Sequence, residues 1–183
     1  MKKILILVLV LIFHVLNSFA QDLYMVSKAN INFTSDAPLE VIEASSNQCT
    51  GVLKITEGSF AFRVTVKSFE GFNSSLQKTH FNENYMESSK FPYAVFEGKI
   101  IEEIDFYSPG THSVRGKGSF TSHGVKQERI IKCKLTISPD KIIVKSDFSV
   151  LLDDHNIKIP SVVRQKIAEE ILVHLELELV PKK

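Results

Sequence analysis

Along residues 59–67 the apolar side chains Phe60, Phe62, Val64 and Val66 share one parity, and Ser59, Arg63, Thr65 and Lys67 share the other. Successive side chains of an extended strand point to opposite faces, so this stretch reads as a strand with one buried face and one wet face. The pattern returns at 131–138, where Ile131, Cys133, Leu135 and Ile137 alternate with Lys132, Lys134, Thr136 and Ser138. It returns in part at 171–179, with Ile171, Val173, Leu175, Leu177 and Leu179 set against His174, Glu176 and Glu178. Fainter versions run over 29–35, 51–56, 94–101, 113–122 and 141–152. Turn chemistry separates many of them, at Glu57-Gly58, Ser108-Pro109-Gly110, Ser122-His123-Gly124 and Ser138-Pro139-Asp140. About eight alternating strands with short connections predict an antiparallel barrel or sandwich.

Two segments lack the period of two. Residues 74–88 predict a short helix that Ser74 or Ser75 can cap. A second helix is expected to begin at Pro160 and to run through Val162, Val163, Lys166, Ile167 and Ile171. One or two helices cannot cover both faces of about eight strands, so they are expected to act as plugs or lids on a sheet scaffold.

The inward parity collects Phe33, Leu53, Phe60, Phe62, Val64, Phe96, Phe120, Ile131, Leu135, Val144, Phe148, Val150, Val173 and Leu175, with Ile55 and Val66 beside them. Ala94, Gly98, Gly116 and Gly118 fall on the same parity and add almost no volume. An eight-stranded barrel is just wide enough to be filled by side chains or to hold one small ligand, so small inward residues suit a cavity. Strand glycines equally suit bulges and tight bends, and both readings stand at this point.

Beyond the alternation, residues 75–88, with Leu76-Gln77-Lys78-Thr79-His80-Phe81-Asn82, followed by Lys90-Phe91-Pro92-Tyr93-Ala94-Val95-Phe96-Glu97-Gly98, form a recognisable block. Ala37-Pro38-Leu39-Glu40 precedes it; Gly116-Lys117-Gly118-Ser119-Phe120 and Asp147-Phe148-Ser149-Val150 follow it in order. Taken together the chain resembles the YceI-like family over nearly all of residues 21–183. The resemblance implies an eight-stranded antiparallel lipocalin-like β-barrel, exported to the periplasm, whose apolar tunnel in some members holds a polyisoprenoid lipid or quinone. The stretch Asp153–Pro160 and the helix expected after it depart from the simplest family pattern.

The opening of the chain bears on export. Lys2 and Lys3 precede an unbroken apolar run, Ile4 to Phe13, and Ser18 and Ala20 stand at the small positions before Gln21. That is the pattern of a secretory signal peptide over residues 1–20, cleaved after Ala20. A membrane span needs roughly 20 apolar residues, and His14 and Asn17 interrupt this run, so the protein is not expected to span a membrane. The formal charge of +1 offers no basic footprint for nucleic acid. Cys49 and Cys133 are the only cysteines; a disulfide and a pair of small buried hydrophobes are both open readings.

Polar constellations are sparse. His80, Glu83, Asn84 and Glu87 share helical spacing, yet one helix supplies too few ligands for a metal. Asp153, Asp154 and His155 read as a solvent-facing turn, and no Gly-x-Ser-x-Gly accompanies Ser149 or Ser161. Gly116-Lys117-Gly118 lies inside a strand pattern and does not read as a phosphate loop. Arg63, Lys99, Arg115, Lys126 and Arg129 fall on outward parity or near strand ends. The expectation is therefore an apolar-ligand binding module with no catalytic residues, no metal and no protein-held cofactor. A fully packed barrel serving as an interaction module is the alternative, and homo-oligomerisation is left open.

Overall fold

The computed structural model describes residues 22–182. The expected signal peptide, residues 1–20, lies outside them. Nine strands follow in order: β1 Leu23–Ala37, β2 Glu40–Ser46, β3 Cys49–Lys54, β4 Ser59–Thr65, β5 Tyr93–Ile100, β6 Gly110–Ser122, β7 Val125–Ile137, β8 Ile142–Leu151 and β9 Glu170–Pro181. The helix α1, Ser75–His80, sits between β4 and β5 and continues as a wider turn over Phe81–Tyr85.

All pairings are antiparallel, and β9 closes the sheet back onto β1. β1 pairs Leu23–Met25 with β3 and Ile31–Ala37 with β2, so β2 and β3 form one interrupted stave and the nine strands make an eight-stave barrel. The interruption has a local cause. Ser46 Oγ accepts from the Gln48 N–H at 3.1 Å and meets Ser68 Oγ at 2.6 Å, drawing the backbone at Asn47–Gln48 out of the ladder.

The β7–β8 ladder is incomplete. It runs only over Lys134–Ile137 against Ile142–Lys145. Above it, side chains take over the backbone groups that would otherwise go unpaired. Ser146 Oγ donates to the Lys132 carbonyl at 2.7 Å, Arg129 Nη2 to the Ser149 carbonyl at 2.7 Å, and Gln127 Nε2 to the Asp154 carbonyl at 2.8 Å. Arg129 is therefore a bridge across the wall, with a partly buried side chain.

The segment expected to be a second helix forms only a short 3-10 turn, Ser161–Val163, and Ile171 already belongs to β9. Its backbone is claimed by the barrel rim. The Gln165 carbonyl accepts from Leu39 N–H at 2.9 Å, and Ala168 N–H donates to Ser35 Oγ at 2.8 Å. Tertiary bonds of this kind override helical spacing in a short segment. Among the described residues no helix is long and apolar enough to cross a membrane.

The interior divides into two parts along the barrel axis. At one end Tyr24, Ile55, Phe106, Val114, Ile137, Ile142 and Leu179 pack into a solid core. At the other end, beneath α1, inward side chains surround open space.

Candidate functional site

The open space is a chamber of about 550 Å³, within the usual range for ligand pockets. Its wall carries Phe33, Leu53, Phe60, Phe62, Val64, Phe96, Gly116, Phe120, Ile131, Leu135, Val144, Phe148, Val150, Val173 and Leu175. Phe33, Phe62, Phe96, Phe120, Phe148, Val173 and Leu175 are only partly buried although they point inward, because the surface they expose faces the chamber. Strand parity brings these residues together: each is the inward member of its alternation.

Gly98 and Gly118 are different, and the expectation that they make room for a ligand is corrected. They face each other across β5 and β6. A Cβ on Gly118 would stand 2.1 Å from the Glu97 carbonyl oxygen, and one on Gly98 would stand 2.2 Å from that of Lys117. These glycines let the β5 and β6 backbones approach closely, and neither lines the chamber. Gly116 does line it. A Cβ there would meet the Phe60 ring at 3.1 Å and the Phe96 ring at 3.4 Å, so its missing side chain seats Phe60 in the chamber floor and Phe96 beside it.

The roof comes from residues without strand periodicity. Phe69 and Phe72 precede α1, and Phe81 follows it. Phe81 stacks on Phe33 with centroids 5.4 Å apart, and Phe72 lies 5.0 Å from Phe81. Such pairs add about 0.5–1.5 kcal/mol beyond area burial. Leu76, Tyr85, Met86, Val163 and Ile167 complete the rim. Ser74 holds α1 in place by accepting the Gln77 N–H at 3.1 Å.

Polar groups near the chamber are largely committed to protein partners. Ser35 and Ser146 make the bonds given above. At the mouth, Glu40 Oε1 accepts from Gln77 Nε2 at 3.0 Å and from Asn73 Nδ2 at 3.2 Å. His80 and Lys166 also border the mouth. Cys49 and Cys133 both face the chamber as free thiols. Burial pushes each thiol pKa up to about 11, which keeps both protonated at neutral pH.

The helix-face residues diverge. His80 turns to the mouth, while Glu87 (φ 41°) leaves the helix and its carboxylate meets His123 Nε2 at 2.8 Å. His123 Nδ1 lies 3.0 Å from the His155 carbonyl. His155 itself is fully buried, against the expectation of a solvent-facing turn, with Nδ1 3.2 Å from the Val125 carbonyl and its ring 5.2 Å from that of Phe120. Asp153 and Asp154 do face solvent. Burial lowers the His155 pKa below the ordinary histidine value. Among the described residues no group of three or more His, Cys, Asp or Glu side chains could hold a metal.

Of the cations assigned outward, Arg63 lies over the Tyr93 ring at 4.8 Å, Arg115 pairs with Glu102 at 2.7 Å, and Lys126 approaches Glu97 at 3.8 Å. Arg63 also borders the chamber, whereas Arg115 and Lys126 do not. Lys166, on the rim segment that follows the 3-10 turn, borders it too.

A closed eight-stave barrel with a blind apolar chamber under a short helix defines a lipocalin-like hollow barrel. The chain belongs to the YceI-like domain family, whose model matches residues 23–179. Among solved structures it is similar to a polyisoprenoid binding domain from Saccharophagus degradans implicated in plant cell wall breakdown. That match has 12% identity and a TM-score of 0.74, covering 88% of this chain and 99% of that one. It is also similar to BcnA of Burkholderia cenocepacia, with 12% identity, a TM-score of 0.67, and coverage of 82% and 95%. The YCEI protein of Campylobacter jejuni matches with 13% identity and a TM-score of 0.61, over 78% and 86%. No curated protein matches the sequence.

Proposed function

We propose that the protein is exported and holds one long apolar molecule, a polyisoprenoid or a related lipid or quinone, inside the barrel as a carrier or reservoir. The observation that carries this reading is the chamber of about 550 Å³, walled by inward phenylalanine, valine and leucine side chains that lack packing partners across it. Binding rests on burial. Apolar surface leaving water gains roughly 25 cal/mol per Å², from which the cost of immobilising the ligand is subtracted. The polyisoprenoid-binding description of the Saccharophagus degradans domain supports the ligand class, and the pattern of residues 1–20 supports export.

The test is mass spectrometry of organic extracts from protein secreted by cells and purified without detergent. One lipid per chain and an N-terminus at Gln21 are expected. No lipid in the extract, together with no uptake of isoprenyl alcohols by the purified protein, overturns the ligand reading; a retained Met1 overturns export.

A further inference from the structure

The chamber is blind. Its floor is formed by Leu53, Phe60, Leu135 and Leu177, and beneath them Ile55, Phe106, Ile142 and Leu179 are buried without facing the cavity. Phe60 is the largest of the floor side chains. Its ring is braced by Phe96, 5.0 Å away, and by Phe62, 5.7 Å away and nearly parallel. Gly116 leaves it the seat it occupies, since a Cβ there would lie 3.1–3.2 Å from the ring. The ring is thus held from the side and from below, and only its chamber face is open to a ligand.

A blind chamber of fixed floor limits how much chain it can bury. A cavity of about 150 Å³ takes the six carbons of benzene, roughly 25 Å³ per carbon, so about 550 Å³ corresponds to some 22 carbons. The committed hydroxyls of Ser35 and Ser146 leave the wall as a surface for hydrocarbon. Resting on the ligand-holding reading above, we infer that Phe60 is a chain-length gauge: the chamber buries one hydrocarbon chain of about twenty carbons, near four isoprene units, with the polar end left at the mouth by Lys166, His80 and Glu40. Carbons beyond that number stay outside the barrel and add no affinity.

The experiment measures the affinity of linear isoprenyl alcohols of ten, fifteen, twenty, twenty-five, thirty and forty carbons by displacement of an environment-sensitive dye from the full mature protein. In the wild type, affinity rises by up to about fourfold per buried carbon, then levels off near twenty carbons. Phe60→Ala removes six ring carbons from the floor, so its plateau moves up by about one isoprene unit. Phe60→Leu, which keeps a branched side chain against Phe96, guards against misfolding and moves it by less. Affinity that keeps rising from twenty to forty carbons in the wild type, or the same plateau in all three proteins, overturns the gauge while leaving the ligand reading intact. No saturable binding at any length removes both.

Discussion

Single strands carry both halves of this barrel. On β9, Leu177 and Leu179 are 1% and 0% exposed, while Val173 and Leu175, on the same face a few residues earlier, remain half-buried. On β8, Ile142 is 0% exposed and Phe148, on the same parity, is not buried. Alternation is identical in the two halves, so alternation decides which way a side chain points and not whether anything meets it. In the lower half the facing residues are large and the loop residue Phe106 plugs the end. In the upper half small inward residues such as Ala94, Cys49, Cys133, Ser35 and Ser146 leave space, and many rings gather at the rim. Phe33, for example, packs on Phe69, Phe72 and Phe81, not across the barrel.

The largest expected effect lies where Gly98 and Gly118 bring β5 against β6. Gly118→Leu drives a side chain into the β5 backbone, and destabilisation of about 4 kcal/mol or more is expected by urea unfolding, with or without ligand. A stable protein that has merely lost its lipid would mean that the position opens into the chamber after all.

The halves themselves are compared by paired truncations. Leu179→Ala opens a cavity in close-packed surroundings and is expected to cost about 3 kcal/mol. Phe148→Ala trims a wall that already borders a void and is expected to cost about 1 kcal/mol in lipid-free protein, since less apolar surface returns to water. Equal costs would show that the upper half is packed in solution.

The smallest effect concerns the rim. The buried His155 has its pKa lowered in the fold, so the unfolded chain takes up a proton first. The stability it contributes is fully present above the ordinary value of 6.5 and is lost progressively as pH falls, the loss being complete below the lowered folded value. His155→Gln should flatten that part of the stability profile without altering it above neutrality. An unchanged slope in the variant would place the titrating group elsewhere.

Much of this architecture is legible in the alternation of Phe60 to Val66, Ile131 to Ile137 and Ile171 to Leu179, because a half-buried strand imposes its period on the sequence. β2 is not visible in that way. Its alternation is short, and it is half of a stave whose break at Asn47–Gln48 depends on Ser68, twenty-two residues from its partner Ser46. The wall of the chamber follows from parity, whereas the roof at Phe69, Phe72, Phe81 and Ile167 follows from where irregular segments dock. Gly98 and Gly118 share parity with Phe96 and Phe120, yet their role depends on the distance to a facing backbone, which no single strand encodes. The helix expected after Pro160 failed for a related reason: the partners of Gln165 and Ala168 lie on the β1–β2 rim, far away in the chain.

The most direct test of the hollow upper half is a high-resolution crystal structure of protein purified without detergent. The account predicts a continuous tube of electron density from the Phe60 ring to the mouth beneath α1, touching apolar side chains along its length. Rings of Phe62, Phe96, Phe120 and Phe148 swung inward to fill the space, with no density between them, would contradict it.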